Sequence, residues 1–268
     1  MDLAILYPVA GMSSRFNDRM KSLAKVGING ESLIECSVNQ ALKADFKKLI
    51  FVVNDKTEHL IKDIFGTRYR GVEVFYASQK FDSRKRDRPW GTLDALCSGL
   101  EFIDCPVVFC NGDDIYGEEV FKKVADHLRA GLGDVAIGYR LGDTLSKNGD
   151  VNRGVFKLGS EGYVTSLIEV FDINSKNLFA KGLNAEDLVS QNVFGFLPET
   201  VKRLNGRLEM FKGRYMEDRF IECLIPVEIS GLVQEGLRIK LYPAPSKWYG
   251  ITNPGDEVVI RNALKCIN

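Results

Sequence analysis

The sequence is poor in the residues that build metal and disulfide frameworks. Its 268 residues include only 2 histidines, too few to complete a zinc site. The 6 cysteines (Cys36, Cys97, Cys105, Cys110, Cys223, Cys266) are scattered among apolar neighbours, and none forms a CxxC pair. That pattern excludes a disulfide scaffold and fits small reduced core residues, hence a cytoplasmic protein. Neither charge is in excess, with 36 Lys+Arg against 36 Asp+Glu, so the footprint of a nucleic-acid binder is missing. Basic residues gather only at Arg84-Lys85-Arg86 and Arg88. No apolar run is long enough to span a bilayer, so no membrane partner is expected. The apolar start, Leu3 to Val9, has no basic leader and runs into a glycine-containing loop, so it is not expected to be a signal peptide. No Pro/Gly/Ser-rich linker interrupts the chain, and a single domain over residues 1–268 is expected. Composition leaves a homo-oligomer open.

What is present is a regular rhythm. Leu3 to Tyr7, Lys48 to Val53, Val72 to Tyr76, Pro106 to Cys110 and Asp134 to Tyr139 are apolar, strand-like runs. Between them lie helical patterns at Ser32 to Ala44, Glu58 to Phe65, Leu93 to Leu100 and Val120 to Leu132. Alternation of this kind predicts an α/β fold with a doubly wound, mostly parallel sheet. After Gly142 the pattern shifts to strands at Gly154 to Leu158, Tyr163 to Phe171 and Gln191 to Leu197. Helices are then predicted at Glu199 to Phe211, Glu217 to Leu224 and Pro226 to Glu235, with a strand at Arg238 to Tyr242 and a terminal helix. Residues 1–141 and 142–268 therefore form two functional halves of one sheet.

Ligands of such sheets bind beyond the carboxyl ends of the strands, which singles out two loops. Ala10-Gly11-Met12-Ser13-Ser14-Arg15 follows the first strand; its small residues let backbone N–H groups approach phosphate, and an arginine can clamp it. It is neither a P-loop nor a dinucleotide fingerprint, and alone it is equally an ordinary turn with a surface arginine. Lys21 follows, and Asn111-Gly112-Asp113-Asp114 closes the fourth strand. A carboxylate facing a phosphate loop suits a metal held between protein and phosphates. Successive strand residues point to opposite faces, so one aspartate of the two is expected to face the site. Asn253-Pro254-Gly255-Asp256 reads as a helix start. Trp90 is expected to pack its turn, and Arg84 to Arg88 to form a solvated face.

These motifs, taken in order, resemble the sugar-1-phosphate nucleotidyltransferases. Leu6 to Glu31 with Ala10-Gly11, Ser14-Arg15 and Lys21 is similar to the family's signature loop. Arg88-Pro89-Trp90-Gly91-Thr92 is similar to its glycine-threonine turn, and Val108 to Tyr116 to its strand ending in glycine-aspartate. Gly154-Val155, Glu169, Asn192 to Phe196 and Trp248 fall where its sugar-binding half has comparable residues. The resemblance covers essentially the whole chain, and its closest likeness is to a less characterised branch. It implies a Rossmann-like nucleotidyltransferase fold with a sugar-binding lobe in the second half, and a nucleotide-sugar, pyrophosphate-releasing, magnesium-dependent activity.

By position, the resemblance assigns Ala10, Gly11, Met12, Ser13 and Ser14 to the nucleotide, and Arg15 to the triphosphate. Lys21 would lie at the reacting phosphates, Gln79, Gly91 and Thr92 at the base, and Asp113 on magnesium. Gly154, Glu169 and Asn192 would line the acceptor pocket. The chain departs from the family at Ser13, at Met20 (usually proline), and in a shorter spacing from Arg15 to Lys21. It also has Gly250 where a second metal-binding aspartate is expected, and Val170 where a lysine usually follows the glutamate. The expected partners are a nucleoside triphosphate and a phosphorylated small molecule. The alternatives are a cytidylyltransferase acting on a phosphorylated alcohol such as phosphocholine, and a non-catalytic nucleotide-binding module.

Overall fold

A computed structural model of the chain describes residues 1–11, 20–146, 149–251 and 256–267. Strand β1 (Ala4–Pro8) is buried at successive rather than alternate positions, the mark of a strand covered on both faces. After it come α1 (Leu33–Leu42), β2 (Lys48–Val53), α2 (Glu58–Phe65), β3 (Arg68–Tyr69), β4 (Val72–Ser78) and α3 (Thr92–Ser98). Next are β5 (Val107–Phe109), β6 (Asp114–Ile115), α4 (Glu118–Arg129) and β7 (Asp134–Arg140). The second half supplies β8 (Val151–Leu158), β9 (Val164–Ile173), β10 (Leu188–Phe196), α5 (Pro198–Arg214) and α6 (Ile225–Gln234). It closes with β11 (Ile239–Pro243), β12 (Tyr249–Gly250) and α7 (Asp256–Ile267).

The main sheet has ten strands, in the order β11-β7-β10-β5-β1-β2-β4-β3, with β8 paired to β10 and β9 to β8. Strands β5, β1, β2 and β4 are parallel, so the fold is α/β with a mostly parallel central sheet, as the rhythm predicts. Strand β10 runs antiparallel between β5 and β7. A strand from the second half of the chain is thus hydrogen-bonded between two strands of the first.

Alternation along the strands divides the core in two. Ile5, Tyr7, Phe51 and Val53 face α1, α2 and α4, while Leu6, Ile50, Val52 and Phe109 face α3, α5 and α6. Helices on both faces are what double winding requires. Helix α7 packs through Ile260 and Leu264 against Val26, Leu33 and Ile115.

The helix expected at Glu217 to Leu224 does not form. Asp218 Oδ1 accepts from the N–H groups of Phe220 and Ile221, both at 2.8 Å, a local turn that competes with helix. The Cys223 N–H donates to the Trp90 carbonyl at 2.6 Å, and its carbonyl accepts from Leu93 N–H at 3.1 Å. The backbone of this segment is committed to the 84–93 stretch instead of to itself.

Helix α1, which backs the site, starts on a capping box. Ser32 Oγ accepts from Glu35 N–H at 3.4 Å, and Glu35 Oε2 accepts from Ser32 N–H at 2.7 Å. Replacing Ser32 with alanine is expected to lower unfolding stability by about 1 kcal/mol, read as a lower urea midpoint at unchanged slope.

Candidate active site

The parallel strands bring their carboxyl ends to one edge. The registers Pro8↔Val52 and Val53↔Ser78 set the residues that follow β1, β2 and β4 side by side: Ala10 and Gly11, Asn54, and Gln79. Asn54 pins the first loop, its Nδ2 donating to the Ala10 carbonyl at 2.6 Å. Its Oδ1 accepts from the N–H groups of Lys56 and Thr57 ahead of α2. Met12, Ser13, Ser14 and Arg15 lie outside the described residues.

Lys21 opens a short 3-10 turn, Lys21–Leu23, held by the Leu23 N–H on the Met20 carbonyl at 3.1 Å. Met20, in place of the family's proline, is buried in the main core and so anchors the segment carrying Lys21. The Lys21 charge acts on Asp113, the half-buried carboxyl in the turn after β5. Burial raises the pKa of Asp113, and the Lys21 ammonium opposes that rise.

The neighbouring Asp114 is only 5 % exposed. Its Oδ2 accepts from Asn111 Nδ2 at 2.8 Å and lies 3.0 Å from the Tyr116 hydroxyl. That hydroxyl is also 2.8 Å from the Gln191 carbonyl and accepts from Asn111 N–H at 3.0 Å. Burial, then the charge of Asp113, pushes the Asp114 carboxyl up to about 7, against the pull of Asn111, Trp248 and Tyr116. The indole N–H of Trp248 is buried and makes no hydrogen bond of normal geometry, yet it is near enough to Asp114 to lower its pKa.

Strand β12 pairs with β6, Gly250 opposite Asp114. A Cβ on Gly250 would stand 2.4 Å from Asp114 Oδ1 and 2.3 Å from Trp248 Cζ2. No side chain fits there. Where an aspartate is expected at position 250, the space holds the Asp114 carboxylate from the paired strand, covered by Trp248. Both aspartates therefore bear on the site, one from the turn and one from the strand.

On the base side, Gln79 Nε2 donates to Asp94 Oδ2 at 2.8 Å and reaches the Gly91 carbonyl at 3.4 Å. Asp94 is held in turn by Lys212 of α5 at 2.9 Å. The Gln79 amide is thus fixed, with its Oε1 as the group left to accept. Gly91 has a φ of 101°, and a Cβ there would lie 2.7 Å from the Cys223 carbonyl, so only glycine suits both the backbone and the space. Thr92 Oγ1 accepts from Ile225 N–H at 3.1 Å and caps α6.

Arg84, Lys85, Asp87 and Arg88 are exposed, as expected of a solvated charged loop, and Arg86 departs from it. Arg86 is 2 % exposed and donates to the carbonyls of Arg88, Asp218 and Ile221. Its Cζ lies 3.4 Å from the centre of the Trp90 ring, which packs edge-on to Phe211. Trp90 packs its turn, as expected.

On the acceptor side, the bulge in β10 between Ser190 and Phe194 leaves Asn192 with a φ of 59°. Its Nδ2 donates to Asn111 Oδ1 at 3.1 Å, joining it to the aspartate network. Gly154 faces Glu169 in the β8–β9 pairing, and a Cβ there would meet Leu167 and Pro226 at 3.2 Å. Burial raises the pKa of Glu169, offset by nearby Arg153. Arg153 stands opposite Val170, and its Cζ lies 5.5 Å from the Trp248 ring.

Asn54, Asn111, Asp114, Tyr116 and Arg153 were not expected from the motifs. Asp114 had a signal in its adjacency to Asp113. Arg153 had one only in its place beside Gly154, Asn111 and Tyr116 flank Asp114 in sequence, and Asn54 acts on Ala10 from a distance in sequence. Among the described residues no group of three or more His, Cys, Asp or Glu is placed to hold a metal.

The nucleotidyl transferase family profile matches residues 17–189. No curated protein sequence matches the chain at a significant level. The solved structures that share its fold include three nucleotidyl-transferring enzymes by their descriptions. A UDP-glucose pyrophosphorylase complexed with UDP-glucose is 18 % identical at a TM-score of 0.69, covering 100 % of both chains. A putative glucose-1-phosphate thymidylyltransferase from Bacillus anthracis is 13 % identical at 0.71, covering 99 % of this chain and 96 % of that one. The inositol-1-phosphate CTP transferase from T. maritima is 13 % identical at 0.67, with the same coverage.

A carboxyl whose folded pKa exceeds its unfolded one binds more protons folded than unfolded between those values. The stability that Asp114 contributes at low pH is therefore lost as pH rises from the ordinary carboxylate range through about 7. Without added metal, Asp114→Asn is expected to flatten this decline. Its melting temperature should fall at least about 3 °C less than that of the unsubstituted protein between about pH 5 and about pH 8.

Proposed function

The chain belongs to the nucleotidyl transferase family, and we propose that it joins a nucleoside triphosphate to a sugar 1-phosphate, giving a nucleotide-sugar and pyrophosphate. The observation that carries this reading is the array of Lys21, Asp113 and Asp114 at the carboxyl end of β1 and β5, between a base side and an acceptor side.

An oxygen of the acceptor phosphate forms a bond to the α-phosphorus, and the bond from that phosphorus to the bridging oxygen of pyrophosphate breaks. An ionised phosphate is already a nucleophile, so no proton need be removed and no covalent enzyme intermediate arises. The protein aligns two anions and offsets the charge between them. Lys21 lies at the reacting phosphates, and the family resemblance adds Arg15 on the triphosphate with Ala10 to Ser14 around it. Gln79 Oε1 accepts from a base N–H beside Gly91 and Thr92. Glu169, Gly154 and Asn192 line the acceptor side.

The donor set suits magnesium. Asp113 and Asp114 are adjacent hard-oxygen ligands that feel each other's charge, and Asp114 Oδ1 occupies the space a residue-250 carboxylate would fill. With no third carboxylate among the described residues, the remaining ligands come from phosphate oxygens and water, as magnesium prefers. When bound, magnesium neutralises charge developing between the phosphates. Asp113 and Asp114 would hold it.

The non-catalytic reading rested on Gly250 and Val170. Each faces a residue of the missing charge across a strand pair, Asp114 and Arg153, which favours catalysis. A cytidylyltransferase acting on a phosphorylated alcohol remains the second reading, favoured by the apolar Val170 beside Glu169. Among the described residues no helix is long and apolar enough to cross a membrane, and we place the reaction in the cytoplasm, in a single domain.

Pyrophosphate release from each of UTP, dTTP, CTP, GTP and ATP, with glucose 1-phosphate or phosphocholine, tests the reaction and separates the two acceptors. Lys21→Ala and Asp113→Ala are each expected to lower the rate at least about 100-fold with melting temperature retained. Near-normal release by either variant overturns the mechanism. Chelation by EDTA should abolish release, and added magnesium should restore it.

A further inference from the structure

Between the acceptor side and Asp114 lies a cation that the reaction scheme leaves without a task. Arg153 is anchored on its own strand and turn. Its Nε donates to Thr144 Oγ1 at 3.2 Å, Nη2 to the Thr144 carbonyl at 2.7 Å, and Nη1 to the Asn152 carbonyl at 2.9 Å. These bonds fix the plane of the guanidinium and keep it from swinging onto Glu169. The two charges act on each other, yet no hydrogen bond or ion pair joins them, and the Glu169 carboxylate makes no hydrogen bond among the described residues. Asp114 also acts on Arg153, and the Trp248 ring lies 5.5 Å from its Cζ.

Two opposite charges, each partly withdrawn from water and held apart, are costly unless a third group joins them. That group must be anionic toward Arg153 and must offer hydroxyl donors to Glu169. A phosphorylated polyol has both. A guanidinium gives phosphate paired, geometrically fixed N–H···O bonds, which a lysine ammonium cannot reproduce.

We propose that Arg153 binds the phosphate of the acceptor and presents it beside the Asp113–Asp114 pair, while Glu169 takes a hydroxyl of the same molecule. The proposal rests on the reading of this site as one for a triphosphate and a phosphorylated acceptor, and it names the residue that grips the acceptor's anionic end. The strand pairing that sets Arg153 opposite Val170 puts this charge on β8 instead of β9. Selection for the phosphate and selection for the hydroxyls then come from adjacent strands of one hairpin.

The test is equilibrium binding of glucose 1-phosphate, phosphocholine, glucose and inorganic phosphate, with magnesium and an α,β-methylene triphosphate that cannot release pyrophosphate. Arg153→Met is expected to weaken glucose 1-phosphate about 30-fold or more. It should leave glucose, and the triphosphate analogue itself, within about twofold of their original affinities. Arg153→Lys keeps the charge but not the paired geometry and is expected to weaken glucose 1-phosphate by about five- to tenfold. Melting temperatures accompany each measurement. Unchanged glucose 1-phosphate affinity in a folded Arg153→Met protein overturns the proposal. If that variant does not fold, unchanged affinity in Arg153→Lys does so, as does an unsubstituted protein that binds none of the three phosphate compounds. Failure of the underlying reading is distinguishable: it is the absence of pyrophosphate from every triphosphate and acceptor pair, whatever Arg153 does to binding.

Discussion

A carboxylate taken out of water must find donors, and Asp114 finds them from several elements at once. Asn111 at the end of β5 and Tyr116 beyond β6 hold its Oδ2, while Trp248 and Gly250 close over its Oδ1. The same Tyr116 hydroxyl meets the Gln191 carbonyl of β10, and Asn111 holds Asn192 at the β10 bulge. One buried charge thus fixes the mutual positions of β5, β6, β10 and β12 where the chemistry is proposed to occur. The network also explains why β6 and β12, each two residues long, persist: their pairing carries the cover over the carboxylate.

The interleaving of the two halves gives the edge its character. Because β10 lies between β5 and β7, Asn192 of the acceptor side approaches Asp113 and Asp114 from the strand next to β5, which leads into those carboxylates. Helices α3 and α5 brace the other flank, where Asp94 and Lys212 fix Gln79. The residues proposed for base recognition and those proposed for acceptor recognition therefore lie on opposite flanks of the same sheet, with the carboxylates between them.

The alternating rhythm made the sheet legible, since runs such as Leu49 to Val53 can be buried on every position only in a two-sided layer. The roles proposed for Lys21, Asp113, Glu169 and Asn192 could be assigned from sequence because local motifs surround them. Asp114 in place of a residue-250 carboxylate, and Arg153 opposite Val170, could not. Each is a relation across a strand pair, and register is a property of two segments that neither displays alone. The false helix at Glu217 to Leu224 has the same cause. Its apolar spacing suits a helix, but its backbone donors and acceptors are claimed by Trp90 and Leu93, partners more than a hundred positions away. Arg86 looked like a surface charge because sequence shows its sign but not the carbonyls of Asp218 and Ile221 that receive it.

The stacking of Arg86 on Trp90 has a consequence for how base preference could diverge. Gly91 and Gln79 belong to the first half of the chain, but the peptide that sets their spacing is clamped to residues 218–223 through Arg86, the Asp87–Arg219 ion pair and Cys223. The wall proposed to meet the base is therefore a composite of two remote stretches, and a shift in either one bears on it. Under the proposed function, drift in the connection between α5 and α6 can therefore retune which nucleotide is accepted. Comparison of base-contacting positions alone would miss the change.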